Sequence, residues 1–217
     1  MKTKDIVIIG ARGLAAEVAF LINEINIQNT KWNLIGFIDN NKTNIGQKIN
    51  NVPVIGTDDW LIGQKKKINV VFGIGNPDLI KKISLLYNKH DFFEFPNLIH
   101  PNVIGDWENI SIGVGNIIFA GNVLTTSIKI GNFNYFNMSC TLGHDITIGN
   151  YNVINPMVSI SGGVKLGNQI LLGTGSRILQ YNNVCSDCII GAGSVVTSSL
   201  LKPATYIGAP ARPLFKK

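Results

Sequence analysis

The sequence predicts an α/β domain followed by an all-β parallel β-helix. Up to about residue 100, short β-branched runs alternate with helical ones. From Ile112 to Val196 a large apolar residue recurs at every sixth position. Glycine follows that residue at Gly113, Gly131, Gly149 and Gly167, each 18 residues from the last, and again at Gly173 and Gly191.

In the first part, Ile6-Val7-Ile8-Ile9 reads as a buried strand, followed by Gly10-Ala11-Arg12-Gly13 and a helix from about Leu14 to Asn26. Leu14, Val18, Leu21, Ile22 and Ile25 fall at three- and four-residue spacing, which is one face of a helix. A strand at Leu34 to Ile38 ends in Asp39, and a turn-rich stretch containing Val52-Pro53-Val54-Ile55-Gly56 comes next. Asn69 to Ile74 is a further strand. Pro77 suits the first turn of a helix carrying Leu79, Ile80, Ile83 and Leu86, and a last strand lies near Phe92 to Phe95. This alternation implies a small parallel sheet covered by helices.

In the second part the apolar column reads Ile112, Ile118, Leu124, Ile130, Phe136, Leu142, Ile148, Ile154, Ile160, Leu166, Leu172, Ile178, Val184, Ile190 and Val196. A period of six is neither helical nor that of an alternating strand. Nested in a period of 18, it describes coils of three sides stacked into a prism. The apolar residue points to the prism axis. A compact residue four positions later, such as Asn116, Asn122, Cys140, Asn152, Val158, Val164, Ser176, Cys188 or Ser194, fits the narrow corner. The fifteen hexads make about five coils, roughly 24 Å tall at about 4.8 Å per rung. Flat prism faces can pack on one another, and three chains around an axis close naturally, so a homotrimer is expected.

Composition narrows the classes. The 217 residues are 45% hydrophobic and 15% charged, with mean hydropathy +0.21, which excludes a disordered chain. No apolar run approaches the roughly 18 to 20 residues of a spanning helix, so no membrane insertion is expected. The start of the chain lacks the pattern of a signal peptide, and a cytoplasmic location is expected. Three cysteines do not make a disulfide framework. Cys185-Ser186-Asp187-Cys188 imitates a redox or zinc pair, but Cys188 falls in the corner column and is assigned to core packing. The net charge of +6 suits anionic small molecules, while the scattered basic residues give no nucleic-acid stripe; Lys65, Lys66 and Lys67 read as a solvated loop.

The hexads, closed by Gly191-Ala192-Gly193-Ser194-Val195-Val196 and Ile207-Gly208-Ala209-Pro210-Ala211-Arg212, resemble the hexapeptide-repeat acyltransferases. Ile9-Gly10-Ala11-Arg12-Gly13, Phe37-Ile38-Asp39-Asn40, Pro53 to Asp58, Ile74-Gly75-Asn76 and Asn97-Leu98-Ile99-His100-Pro101 are similar to the branch holding sialic acid O-acetyltransferases and PglD-type N-acetyltransferases of nucleotide-linked amino sugars. The resemblance implies a Rossmann-like nucleotide-sugar-binding domain over residues 1–100 and a left-handed parallel β-helix binding acetyl-CoA over residues 101–217. It implies substrate contacts at Gly10, Arg12, Gly13 and Leu14, at Asp39 and Asn40, and at Asn76 and Pro77. Leu14 and Pro77 replace a histidine and an asparagine of the bacillosamine-pathway enzymes. On physical grounds, free N–H groups at a helix start attract a phosphate, and Arg12 adds a charged contact to a diphosphate.

Only His144 of the three histidines, His90, His100 and His144, lies inside the hexad run from Ile112 to Val196. His144-Asp145-Ile146-Thr147-Ile148-Gly149 matches the branch's catalytic motif, which makes His144 the expected general base and Asp145 its orienting partner. Consecutive residues of a regular strand point to opposite faces, so contact between these two requires the chain to turn there. The resemblance also places acetyl-CoA contacts at Val153, Thr174 and Ala192, with Val153 standing where relatives carry histidine. Arg177, Lys202 and Arg212 are candidate partners for CoA phosphates. No metal is expected, since a β-helix zinc site of the carbonic anhydrase kind needs three histidines. The expected reaction is direct attack on the acetyl-CoA thioester by the amine of a nucleotide-linked amino sugar, a 4-amino-4,6-dideoxy sugar. Sugar O-acetylation and a non-catalytic sugar-nucleotide-binding module are the competing readings.

Overall fold

The computed structural model describes residues 3–214. The first domain comprises β1 (Lys4–Ile9), α1 (Gly13–Gln28), β2 (Trp32–Ile38), β3 (Lys48–Ile49), β4 (Val52–Gly56), α2 (Asp58–Gly63), β5 (Ile68–Phe72), α3 (Pro77–Tyr87) and β6 (Phe93–Glu94). Its sheet has the order β3-β4-β2-β1-β5-β6, parallel except for the β3–β4 pair. Ile6, Val7 and Ile8 are fully buried in the middle of the sheet, as a β-branched run covered on both faces should be. The chain leaves β1 for β2 on one side and later returns to β5 on the other. A crevice therefore opens beyond the carboxyl end of β1, the usual ligand position in such sheets. Helix α1 can lie close over this point because Gly73 has no side chain: a Cβ there would stand 2.5 Å from the Cα of Ala15.

Helix α2 is an addition to the elements expected from sequence. Its six residues are too few for a periodic pattern, but Thr57 Oγ1 accepts from Trp60 N at 3.3 Å, and Asp58 and Asp59 occupy its first turn.

From Leu98 onward the chain winds into a three-faced parallel β-helix. The first face stacks strands at Leu98–Ile99, Ile117–Ile118, Tyr135–Phe136, Val153–Ile154, Leu171–Leu172, Ile189–Ile190 and Thr205–Ile207. The second runs from Ile104–Gly105 to Val195–Val196 and the third from Ile110–Ile112 to Asn183–Val184. Paired residues in successive rungs are 18 apart through the regular part, as in Tyr135 with Val153 and Thr141 with Ser159. The prism is taller than the five coils expected, with rungs beginning at Leu98; six steps on the first face make about 29 Å. The first coil escapes the sequence pattern because Gly105 occupies an inward position, paired with Leu124. Seven residues, instead of six, then separate it from Ile112. Trp107 and Ile110 lie against the space a side chain at Gly105 would take.

The corners have their own rule. Every sixth residue from Gly115 to Gly193, whether glycine or a larger residue such as Phe133, Asp145 or Tyr181, has a positive φ. The compact corner column is buried as expected, and part of it is a polar ladder. Asn134 Nδ2 donates to Asn116 Oδ1 at 3.0 Å and to Gly149 O at 2.9 Å; Asn152 Nδ2 repeats this with Asn134 Oδ1 and Gly167 O. Each of these buried amides is thus satisfied by the coils on either side of it.

The two domains share one hydrophobic cluster. Outward-facing Leu98, Ile117, Tyr135 and Val153 of the first prism face are buried together with the core of the α/β domain. Phe133 stacks on Tyr151 with centroids 5.8 Å apart and meets Phe72 at 5.6 Å. Gln169 bonds both Lys81 and Asp78 of α3. No described helix is long and apolar enough to cross a membrane.

Candidate functional site

The crevice at the end of β1 is a cleft of about 480 Å3. Gly10, Arg12, Leu14, Asp39 and Asn40 line it, five of the eight residues expected to contact a nucleotide sugar. Gly10 has φ +103, and a Cβ on it would meet the Gly73 carbonyl at 3.0 Å, so the wall here is bare backbone. Arg12 is exposed and precedes α1 in extended conformation without a side-chain cap, leaving the helix start open to an anion. Gly13, the first residue of α1, adjoins the cleft without lining it. Asn76 and Pro77 take structural places: Asn76 Oδ1 accepts from Leu79 N at 2.9 Å to cap α3, and Pro77 is buried in its first turn.

One lining residue, Asp58, was not singled out as a site residue from sequence. It takes Asn40 Nδ2 at 2.7 Å and returns its own backbone N–H to Asn40 Oδ1 at 3.0 Å. The fully buried Tyr87 donates its hydroxyl to the other Asp58 oxygen at 2.8 Å. Burial, followed by the charge of Asp58, drives the Tyr87 hydroxyl far above its ordinary range, so it remains a donor. Asp39 is fixed in turn by Asn41 N at 2.9 Å and Asn44 Nδ2 at 2.7 Å. The acceptor and amide walls of the cleft are therefore held before any ligand arrives.

His144 lies at the corner between the second and third prism faces. Leu142 points inward, Gly143 passes the edge, and Asp145 has φ 58. This left-handed turn brings the two side chains to the same side, with His144 Nδ1 2.8 Å from Asp145 Oδ2. Both are open to solvent, 55% and 66% exposed. With Nδ1–H donating to the carboxylate, Nε2 is the acceptor nitrogen. The imidazole lies over Gly162 of the next coil, where a Cβ would stand 2.6 Å from Nε2. One coil earlier, Thr126 Oγ1 donates to Asp106 at 2.6 Å and Asn109 Nδ2 adds a bond at 2.9 Å; these two donors hold the Asp106 carboxyl below its usual range. A shallow cleft of about 550 Å3, lined by Asn109, Ser127, Lys129, Asp145 and Thr147 among others, opens beside this corner.

Of the residues expected at acetyl-CoA, Thr174 and Ala192 are exposed and occupy equivalent places in successive coils, joined by Gly193 N to Thr174 O at 2.8 Å. Their corner joins the first and second faces, so within one chain they stand on the opposite edge of the second face from His144. Arg177 is exposed on that second face, and Lys202 and Arg212 are exposed in the segment closing the prism. Val153 is different. It is 2% exposed, enclosed with Tyr135 beneath the α/β domain, and its N–H bonds to Ile170 O, so its side chain is not available to a cosubstrate. Cys140 is buried, and that burial pushes its thiol up to about 11, which disfavours an acyl-carrying thiolate. Among the described residues no group of three or more His, Cys, Asp or Glu side chains is arranged to hold a metal ion.

Residues 5–84 match the PglD N-terminal domain family. No curated protein sequence matches the chain. Solved structures do. Perosamine N-acetyltransferase PerB from Caulobacter crescentus, in complex with CoA and GDP-perosamine, is 26% identical with TM-score 0.87 over 97% of both chains. The acetyltransferase domain of PglB from Neisseria gonorrhoeae, solved also with acetyl coenzyme A, is 26% identical with TM-score 0.89 over 98% of this chain and 100% of that one. WeeI from Acinetobacter baumannii is 28% identical with TM-score 0.85 over the same shares. The chain therefore joins a region matching the PglD N-terminal domain family to a hexapeptide-repeat β-helix, and its fold matches over nearly its whole length those of a perosamine N-acetyltransferase and an acetyltransferase domain.

Proposed function

We propose that this protein is an acetyl-CoA-dependent N-acetyltransferase of a nucleotide-linked amino sugar, with a 4-amino-4,6-dideoxy sugar as the first acceptor to test. The observation that carries this reading is the His144–Asp145 pair, an imidazole oriented at one nitrogen and open at the other, on a chain whose fold matches a perosamine N-acetyltransferase solved with CoA and GDP-perosamine. The diphosphate binds at Arg12 and the open start of α1, and the nucleoside lies along Asp39 and Asn40. The sugar amine attacks the thioester carbonyl. The attacking form is the neutral amine, its ammonium having first released one proton to solvent. As the C–N bond forms the nitrogen becomes cationic and must lose a second proton, which a histidine is suited to accept near neutral pH. His144 Nε2 accepts it, Asp145 steadies the imidazolium, and the same proton then goes to the departing CoA thiolate.

The pantetheine and phosphates of CoA run along Thr174 and Ala192, with Arg177, Lys202 and Arg212 toward the phosphates. Because these residues and His144 occupy different edges of one prism, the working site joins one copy's histidine edge to a neighbour's CoA edge, in a homotrimer. The reading places the enzyme in the cytoplasm and requires no metal.

Release of CoA thiol measured against UDP-, GDP- and dTDP-linked amino sugars and free sialic acid tests this. Turnover of an amino sugar that falls by roughly 10²- to 10⁴-fold in His144→Ala is the expected result. Turnover of sialic acid alone would overturn the acceptor, and an undiminished His144→Ala would overturn the base. Absence of transfer to every acceptor would favour a sugar-nucleotide-binding module.

A further inference from the structure

Cys185 and Cys188 lie at the corner between the third and first faces near the top of the prism, away from the His144 corner. Their sulfurs are 3.5 Å apart. Asp187 between them has φ 63, and this turn points both side chains the same way. The backbone on either side is clamped: Cys185 N donates to Leu200 O at 2.9 Å, Asp187 N to Asn168 O at 3.0 Å and Ile189 N to Ala204 O at 3.0 Å. The two sulfurs differ in access. Cys185 is half-buried, whereas Cys188 is fully buried with Sγ 3.6 Å from Lys202 O.

Packing alone explains a small residue at position 188, where the corner column is compact throughout. Position 185 continues the glycine column of the earlier coils and packs against the same core, so packing there asks only for a small residue; what it does not require is a second thiol in sulfur contact with the first. An S–S bond is about 2.05 Å long, so closure from the 3.5 Å contact requires the two sulfurs to approach by about 1.5 Å.

We propose that Cys185 and Cys188 form a reversible intrachain disulfide, a modification site whose reaction partner is a low-molecular-weight disulfide such as glutathione disulfide. Cys185 gives up its proton to solvent and its thiolate attacks one sulfur of the small disulfide, expelling one small thiolate and leaving a mixed disulfide on Cys185. Cys188 then loses its proton to solvent and attacks Cys185 Sγ, expelling the second small thiolate. The expelled thiolates take up the two protons. Both protein sulfurs are oxidised and the small disulfide is reduced to two thiols. Burial and the adjoining Cys185 push the Cys188 thiol up to about 12, which fits it as the second, resolving sulfur. Closure draws Cys188 Sγ from the Lys202 carbonyl, which also accepts the Tyr206 hydroxyl at 2.8 Å, so the change is transmitted to the segment that closes the prism.

The test is intact-mass analysis of the folded protein after incubation with glutathione disulfide, with peptide mapping of alkylated thiols. The wild type is expected to become lighter by two hydrogens, to retain no glutathione, and to yield one crosslinked peptide containing both cysteines; dithiothreitol reverses this. Cys188→Ser is expected to retain one glutathione at Cys185, and Cys185→Ser none. Hydrogen exchange is expected to rise within residues 200–206 of the oxidised protein. A wild type that keeps all its thiols alkylatable, or that accumulates glutathione at Cys185 without crosslinking, overturns the proposal. The wild-type map decides this even if a variant folds poorly, and none of these readouts depends on acetyl transfer.

Discussion

Replacing Gly162 by alanine tests the geometry of the proposed base without touching the imidazole itself. The added Cβ would lie 2.6 Å from His144 Nε2, 2.7 Å from Cε1 and 3.0 Å from Cδ2, all inside ordinary van der Waals separation. The obstructed atoms belong to the end of an exposed side chain, so the ring yields and the coil stays. Stability is expected to change by less than about 1 kcal/mol, since the only interaction at risk is an exposed pair of small worth. Activity is expected to change far more. The ring must move by most of an ångström, away from the position set by its 2.8 Å contact with Asp145, and a misplacement of about 1 Å costs on the order of 10²-fold. The assay is CoA thiol release at saturating substrates, beside a thermal melt. A kcat within twofold of the wild type would refute the reasoning, because the imidazole could then not be working from over Gly162. An equally large loss of stability would refute the assumption that the coil is indifferent.

Other expectations follow from the same structure. Arg12→Ala should raise KM for the nucleotide sugar about tenfold and leave kcat nearly unchanged, as removal of one charged phosphate contact does, in steady-state kinetics with varied sugar nucleotide. Tyr87→Phe leaves an Asp58 oxygen without its buried donor and should cost about 1–3 kcal/mol in denaturant unfolding, with a raised KM because Asn40 loses its support. Stability should also fall with rising pH between about 9 and 11. The folded state holds the Cys140 proton up to about 11 while the unfolded chain releases it near the ordinary thiol value of 9.0. The unfolded state thus binds fewer protons in that window, giving a decline of about 1.4 kcal/mol per pH unit for this group. Cys140→Ala, itself less stable, should show a shallower decline in urea melts taken across that range.

The hexads were legible because each coil commits one large apolar residue to the axis at an unbroken spacing. The first coil was not, because Gly105 vacates an inward position and the following step has seven residues. The His144–Asp145 contact was conditional on a turn, and the condition is met by the φ of 58 at Asp145. Asp58 and Tyr87 were invisible as a pair because they are 29 residues apart and meet only once β5 and α3 have folded. Val153 reads as an outward strand residue, and only the docking of the α/β domain on the first face removes it from solvent.

That docking has a consequence for selectivity. Phe72, Phe95, Phe133 and Tyr151 interleave across the boundary, and Gln169 ties α3 to the prism, so the nucleotide cleft and the histidine corner are parts of one stiff body. Within one chain the α/β domain covers the first face and His144 stands at the opposite corner, so the proposed trimeric site pairs one copy's cleft with a neighbour's histidine, and the packing of stiff copies sets the span, like the gap of a calliper. A sugar is then chosen by reach, according to which of its carbons carries the nucleophile at the far end of a handle of fixed length. Moving the amine by one ring position should reduce transfer even where every contact to the nucleotide is kept.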